Sequence, residues 1–318
     1  MSMVTAIVLN WNGREDTLVC LRSLAAQVEP VAVVLVDNGS TDGSVEAVRR
    51  EFQEVTVLET GRNLGYAGGN NVGLRHALAG GSRYLFVLNN DTWLAPDCVS
   101  RLRSELAAFP DFVAAAPKSL QGASPDRIHF AGGRIARSGI SYHVGLGEPD
   151  GPAHDVAGET EWITGCALFA SREGFERVGL FDERYFLLFE DLDWCMRARR
   201  LGWRLRYVPG ARLWHAGSQS FGGKRAATYQ YYSTRNGLLW IERSFPPWRR
   251  PLLSAGWLRE AWSRAGRLGA TPETLRSLRS ATRRGVRDYL ARRFGPGPTF
   301  AGDEAAPRPR VAARSGTR

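Results

Sequence analysis

Tyr84-Leu85-Phe86-Val87-Leu88-Asn89-Asn90-Asp91-Thr92 is the stretch whose reading decides the fold. Its first five residues are apolar, aromatic or β-branched, which reads as a buried strand. The next four turn abruptly polar: two amides, a carboxylate and a hydroxyl. A strand ending this way sets oxygen ligands at the carboxyl edge of a sheet, where open α/β sheets bind ligands. A single carboxylate among amides and hydroxyls suits a hard cation, Mg²⁺ or Mn²⁺, carried in on a diphosphate. The same residues also read as a strand followed by an Asx turn, so the flanking chain has to decide.

Upstream, residues 4–9 read as a first strand, Asn10-Trp11-Asn12-Gly13 as a turn, and 15–27 as an amphipathic helix with Leu18, Leu21 and Leu24 inward. Residues 31–36 form a continuous β-branched run, as in a parallel strand covered on both faces. It ends in Asp37-Asn38-Gly39-Ser40-Thr41-Asp42; a helix over 43–52 and a strand over 55–58 follow. Arg62-Asn63-Leu64-Gly65-Tyr66-Ala67-Gly68-Gly69-Asn70-Asn71 is a glycine-rich loop entering a helix that runs to Ala79. The 84–88 strand comes fourth, and 96–108 is the next helix. Four strand–helix alternations in the first 110 residues predict an α/β fold: a Rossmann-like, mostly parallel sheet with helices on both faces.

Downstream the pattern loosens. Residues 120–160 are rich in Gly, Pro and Ser, with short strands at 128–131 and 140–146, and read as an excursion over the sheet. Order resumes with a core strand over 161–169, a helix over 172–178, a loop over 181–189 and a helix over 190–201 whose acidic start suits the helix dipole. A strand over 203–208, then Trp214-His215, then a helix over 229–240 complete this part. The C-terminal region predicts two more amphipathic helices. In 252–268, Leu253, Trp257, Ala261, Ala265 and Leu268 share a face. The second opens with Thr271 as N-cap and Pro272 at its first position, and carries Leu275, Leu278, Val286 and Tyr289 on one side.

At 318 residues, 43% hydrophobic and 10% aromatic, the chain is globular, with room for one large α/β domain and an appendage. Nothing near Met1 reads as a signal peptide, and the apolar run 31–36 is too short to span a bilayer. Cys20, Cys98, Cys166 and Cys195 form no Cys-x-x-Cys pair, so they read as reduced core residues of a cytoplasmic protein. The net charge of +10 is unevenly placed: residues 243–294 hold thirteen Arg against three acidic residues, so the body is near neutral. That argues against nucleic acid as a partner and for an anionic surface met by the C-terminal region.

Several polar clusters could carry chemistry. Asp37 ends the second strand, where an acidic residue accepts from a base or ribose, or simply forms a turn. The glycines of 63–71 let backbone approach a phosphate or sugar, or merely connect two elements. That loop lacks Gly-x-Gly-x-x-Gly, which leaves a dehydrogenase without its fingerprint, and it lacks the Gly-Lys-Ser/Thr of a P-loop. Glu190-Asp191-Leu192-Asp193 either completes a helix N-terminus or supplies a general base. The run Tyr185-Phe186-Leu187-Leu188-Phe189 before it would bury such a base and raise its pKa. His215 reads as a metal ligand or a packed core histidine.

Together, Val8-Leu9-Asn10-Trp11-Asn12, Asp37 to Asp42, Asn63 to Asn71, Asn89 to Thr92, Gly165-Cys166-Ala167, Phe189 to Asp193 and Trp214-His215 fall in one order. In that order the chain resembles the family 2 glycosyltransferases over about residues 4–240, most of all their rhamnosyltransferase-like branch, which also carries a segment like Tyr231-Tyr232-Ser233-Thr234-Arg235-Asn236. The resemblance implies a GT-A type fold and an inverting transfer from a nucleotide diphosphate sugar to a glycan or lipid-linked acceptor. By motif position Asp37 would hold the base and Asn90 the ribose. Asn10, Asn12, Asn38, Asn63, Gly65, Asn70 and Gly165 would complete the donor site. Asp91, with His215, would bind Mg²⁺ or Mn²⁺, and Asp191 would be the general base. Trp162, Glu190, Arg235 and Asn236 would lie on the acceptor side. Where the family has Asp-x-Asp, this chain has Asn89-Asn90-Asp91, so metal binding would lean on His215 and the diphosphate.

The expected organisation is a nucleotide-sugar-binding catalytic domain over 1–242, a basic helical appendage over 243–294 and a disordered tail over 295–318. The appendage would place a cytoplasmic enzyme peripherally on the inner face of the cell membrane. The competing readings are a non-catalytic nucleotide-sugar-binding or scaffold protein of the same fold and a sugar-1-phosphate nucleotidyltransferase. The latter needs a glycine-rich, basic loop after the first strand, and Asn10-Trp11-Asn12-Gly13-Arg14 matches it poorly.

Overall fold

The computed structural model describes residues 3–217 and 227–300. Its first half alternates as the periodicity predicts. The elements are β1 (Val4–Asn10), α1 (Arg14–Ala25), β2 (Ala32–Asp37), α2 (Ser44–Glu51), β3 (Thr56–Glu59), α3 (Gly65–Ala79), β4 (Tyr84–Asn89), β5 (Thr92–Leu94) and α4 (Cys98–Ala108). Next come β6 (Phe112–Gln121), β7 (Ile128–Phe130), β8 (Gly133–Ile135), β9 (Ser141–His143), β10 (Gly158–Thr160), β11 (Ala167–Ser171) and α5 (Arg172–Val178). The remainder is α6 (Glu190–Arg200), β12 (Arg204–His215), α7 (Ala227–Ser244), α8 (Arg250–Leu268) and α9 (Pro272–Leu290).

The main sheet runs β10-β12-β6-β11-β4-β1-β2-β3, with β5 paired to β12 and β7 to β6. β3, β2, β1 and β4 are mutually parallel, and β11 enters antiparallel between β4 and β6. Two hydrophobic layers sandwich the sheet. Ile7, Val36, Leu85 and Val87 belong to one; Val8, Leu35, Phe86 and Leu88 belong to the other. Both faces of each central strand are thus buried, which is why these strands read as continuous apolar runs. Each such side chain stabilises the fold by about 1.5–3 kcal/mol.

Register decides where the polar strand ends meet. Leu9 pairs with Asn89 and Asn10 with Asp37, so β1, β2 and β4 finish together. His215 pairs with Thr92, which brings the end of β12 to the same edge.

Three expectations are corrected. The core strand expected over 161–169 begins only at Ala167, because residues 164–166 turn, with Ala167 N–H donating to Thr164 O at 3.1 Å. The strand expected over 203–208 continues to His215. A bulge between Val208 and Arg212 absorbs Pro209 and Gly210, which in sequence read as a stop. Residues 295–300, expected to be disordered, pack on the body: Gly295 N–H donates to Arg184 O and Gly297 N–H to Tyr232 Oη at 2.6 Å. The rest of that expectation, 301–318, lies outside the described residues.

The C-terminal helices form as predicted. Thr271 caps α9 by accepting from Thr274 N–H at 3.1 Å. Gln230 on α7 ties all three together, donating to Ala261 O and Thr282 Oγ1, both at 2.8 Å. No helix among the described residues is long and apolar enough to cross a membrane.

Candidate active site

At the carboxyl edge, Asn10 is the hub. Its amide donates to Asp37 Oδ1 (2.9 Å) and Ser40 Oγ (3.1 Å), and its Oδ1 accepts from Thr17 Oγ1 (2.9 Å) and Asn90 Nδ2 (3.0 Å). Asn90 also donates to Thr17 Oγ1 at 2.9 Å. Asn12, in the left-handed region, accepts from Thr41 N–H at 2.8 Å, which pins the β2 loop to the β1 loop. Beside this net, Asn38 donates to Asn63 Oδ1 and Gly65 O, both at 3.1 Å, and accepts from Leu64 N–H at 2.9 Å. Gly65 has φ 75°, and a Cβ there would collide with the Phe186 carbonyl, so only glycine fits. Asn70 is buried within α3, its amide donating to Tyr66 O.

Asp91 and His215 meet across the edge, Oδ1 to Nε2, at 3.1 Å. Burial pushes the His215 pKa down, but the Asp91 carboxylate beside it outweighs that, and the net direction is up. On its other side His215 Nδ1 lies 3.3 Å from His129 Nε2.

The acidic helix start faces the same region. Asp191 Oδ2 accepts from Gly165 N–H (2.6 Å) and Oδ1 from Leu192 N–H (2.7 Å). Tyr66 Oη donates to the Gly165 carbonyl. Burial raises the Asp191 pKa, and those N–H groups hold the rise in check. Glu190 is pushed well above the usual carboxylate range by burial and then by the charge of Asp191. Asp193 turns away, into Arg197 (2.8 Å), Arg243 (2.9 Å) and Tyr185 Oη (3.2 Å).

Three of the residues expected on the acceptor side lie in the interior. Trp162 is buried against Gly133, Phe130 and His143, with its indole N–H 3.3 Å from Arg134 O. Arg235 and Asn236 are fully buried and donate to carbonyls of the 184–188 loop, so their side chains are spent inside the protein. Sequence reading missed Thr17, Ser40, Tyr66, Ser119 and His129. Thr17 and Ser40 sit near named motifs and were within reach. His129 lies in the irregular 120–160 region, where no periodicity points to a site.

The family model described as Glycosyl transferase family 2 matches residues 5–137, and that described as Glycosyl transferase family group 2 matches 84–279. The chain is 29% identical over 292 residues to an N-acetylglucosaminyl-diphospho-decaprenol L-rhamnosyltransferase of Mycobacterium tuberculosis, covering 85% of this chain and 91% of that one. It is 24% identical over 268 residues to a dTDP-rhamnosyl transferase of Shigella flexneri, covering 77% and 82%. In fold it is similar to the mannosyltransferase PcManGT from Pyrobaculum calidifontis in complex with GDP-Man and Mn²⁺, with a TM-score of 0.57 at 19% identity over 91% of this chain and 87% of that one.

Proposed function

The chain belongs to the family 2 glycosyltransferases, and on that premise we propose that it moves rhamnose, with inversion, from a nucleotide diphosphate to a hydroxyl of a polyprenyl-diphosphate-linked glycan. Sugar and acceptor follow the similarity to the two bacterial relatives. The observation that carries the site assignment is convergence: the Asn10–Asp37–Asn90 net, the Asp91–His215 pair and Asp191 occupy one sheet edge.

Each group has a task. Asp37, with Asn10, Asn12, Asn38, Asn63, Gly65, Asn70 and Asn90, forms the donor wall, held in place by its own hydrogen bonds before any ligand arrives. The 3.1 Å between Asp91 Oδ1 and His215 Nε2 matches the roughly 3 Å edge of an octahedral site with bonds of about 2.1 Å. The carboxylate suits Mg²⁺ or Mn²⁺, and the imidazole nitrogen beside it favours Mn²⁺ of the two. Such an ion, when bound, neutralises charge developing on the leaving diphosphate. Asp191 takes the proton from the attacking hydroxyl, and Gly165 and Leu192 N–H groups fix its orientation. Burial, and then the charge of Asp191, push the Glu190 pKa up, which disfavours a competing charge beside the base. Arg235 and Asn236 act at a distance, by holding the loop that presents the base.

The acceptor's lipid would bring the enzyme to an anionic membrane surface. Between α8 and α9 lies a groove of about 920 Å³ lined by Leu258, Trp262, Val286 and Leu290 with Arg259, Arg283 and Arg287 on it. Trp248 and Leu252 stand exposed nearby in sequence. Apolar side chains framed by arginines suit peripheral attachment. Co-sedimentation with anionic vesicles tests this; no binding at low salt would overturn it.

The central test is transfer from dTDP-rhamnose to a synthetic polyprenyl-diphosphate acceptor, with and without chelator. Activity should vanish in excess chelator and return with Mn²⁺. Full activity in chelator would sink the metal assignment. A nucleoside diphosphate that binds the folded protein should also raise its melting temperature, and the absence of any such shift would sink the donor wall.

A further inference from the structure

Two more of the five histidines in the sequence, His129 and His143, gather behind the Asp91–His215 pair. His129 comes from β7, Cys166 from the turn before β11, and His215 from the end of β12. We propose that His129, Cys166 and His215 form a second cation site that takes a thiophilic ion such as Zn²⁺, and that filling it switches transfer off.

Geometry carries the proposal. One ligand atom from each of the three residues lies within 4.8 Å of the others. The 3.3 Å between His215 Nδ1 and His129 Nε2 equals the edge of a tetrahedron with Zn–N bonds of about 2.0–2.1 Å. The outward nitrogens already have oxygen partners: His215 Nε2 is 3.1 Å from Asp91 Oδ1, and His129 Nδ1 is 3.1 Å from Ser119 Oγ. Zinc-bound histidines characteristically donate their other ring N–H to such oxygens. With both outward nitrogens protonated, two inward lone pairs face each other, an arrangement that a shared cation resolves. His143 packs edge-on against the His129 ring at 5.1 Å and fixes it from behind. The thiol sets selectivity, because Mg²⁺ and Mn²⁺ prefer oxygen ligands whereas Zn²⁺ favours sulfur. Binding releases the thiol proton to solvent and forms the Zn–S bond, with no change of oxidation state.

The switch follows from the tautomer. A His215 that ligates through Nδ1 keeps its proton on Nε2, pointing at Asp91, and has no lone pair there for Mg²⁺ or Mn²⁺. The binding step rests on these side chains alone; only its effect on transfer rests on the Asp91–His215 assignment proposed above.

Titration of the metal-free full-length protein with Co²⁺, read by absorbance, tests the site without any substrate. A thiolate-to-cobalt charge-transfer band is expected, and it should collapse on adding equimolar Zn²⁺. Cys166→Ser, which preserves shape, should lose the band and weaken Zn²⁺ by more than the roughly 10–100-fold expected of an outer-shell variant such as Ser119→Ala. In the Mn²⁺-supported assay, Zn²⁺ should inhibit the parent protein at concentrations at least about tenfold below those that affect Cys166→Ser. Cobalt binding without a thiolate band, or unchanged Zn²⁺ affinity in Cys166→Ser, would overturn the site. A thiolate band without inhibition of transfer would overturn the switch.

Discussion

The donor wall and the loop that presents Asp191 are built on opposite plans. The wall is local: polar residues at the ends of β1, β2 and β4 bond one another across a register of adjacent strands. The loop over 181–189 is held from outside. Phe186, Leu188 and Phe189 take φ of 62°, 70° and 77°, a region in which apolar side chains are strained at roughly 1–3 kcal/mol each. Asn236 offsets that strain by donating to Tyr185 O, Leu187 O and Leu188 O at 2.8, 2.6 and 3.1 Å. Arg235 adds bonds to Arg184 O and Tyr185 O. The proposed donor wall is thus assembled by the sheet, and the helix start that carries Asp191 is aimed by α7, which lies far away in sequence.

The sharpest way to break this contrast is at the base itself. Asp191→Asn should lower turnover by about 10²–10⁴-fold, the range of a general base, while donor affinity, measured calorimetrically, stays near that of the parent. Near-normal turnover would place the base elsewhere. Next in size, Asp193→Asn should leave the Arg197 and Arg243 guanidinium groups without their shared buried charge. A loss of about 3 kcal/mol in chemical denaturation is expected, and donor affinity in the folded protein should be unchanged. A variant that loses turnover without losing stability would contradict a structural role for Asp193.

Asn236→Ala probes the brace. It removes the side-chain donor of the Leu187 and Leu188 carbonyls, while Tyr185 O keeps Arg235, at a cost of about 1–3 kcal/mol. Loss should fall on kcat more than on donor affinity, because Asn10, Asp37 and Asn90 bond one another across the sheet and the loop meets the wall at its Gly65 flank, beside Phe186. An equal fall in both would mean that the two regions are one unit.

The same contrast explains what was legible in sequence. The four strand–helix alternations, and the polar ends at Asn10, Asp37 and Asn90, were readable because each signal is short-range and apolar strands buried on both faces leave a continuous run. The length of β12 was not, since Pro209-Gly210 reads as a break and only the pairing with β6 shows that a bulge absorbs it. Arg235 and Asn236 were expected on the acceptor side, and the structure shows them holding loop carbonyls from within. Their motif is plain in sequence, but nothing local says that their side chains point inward at a strained loop fifty residues upstream. His129 was missed for a like reason: β7 is three residues long and its partner groups come from β6 and β12.

The smallest effect, and the finest test of the loop's surroundings, concerns Glu190. Its Oε2 is buried without a hydrogen-bond partner among the described residues, and burial, followed by the charge of Asp191, raises its pKa well above the usual range. In the unfolded chain it titrates near its ordinary value of about 4.3. Between those two values the folded state binds more protons than the unfolded state, so folding stability falls as pH rises through that window. The slope from one group is at most about 1.4 kcal/mol per pH unit. Asp191 shifts in the same direction, but the Gly165 and Leu192 N–H groups favour its charged form and narrow its window. Glu190→Gln keeps the shape and removes the titration. Its melting temperature should therefore decline less than that of the parent as pH rises above about 5. The two should converge at acidic pH, where the parent Glu190 is protonated in both states. Superimposable stability curves would show that Glu190 is solvated and ionised, and that Asp191 works beside a second negative charge.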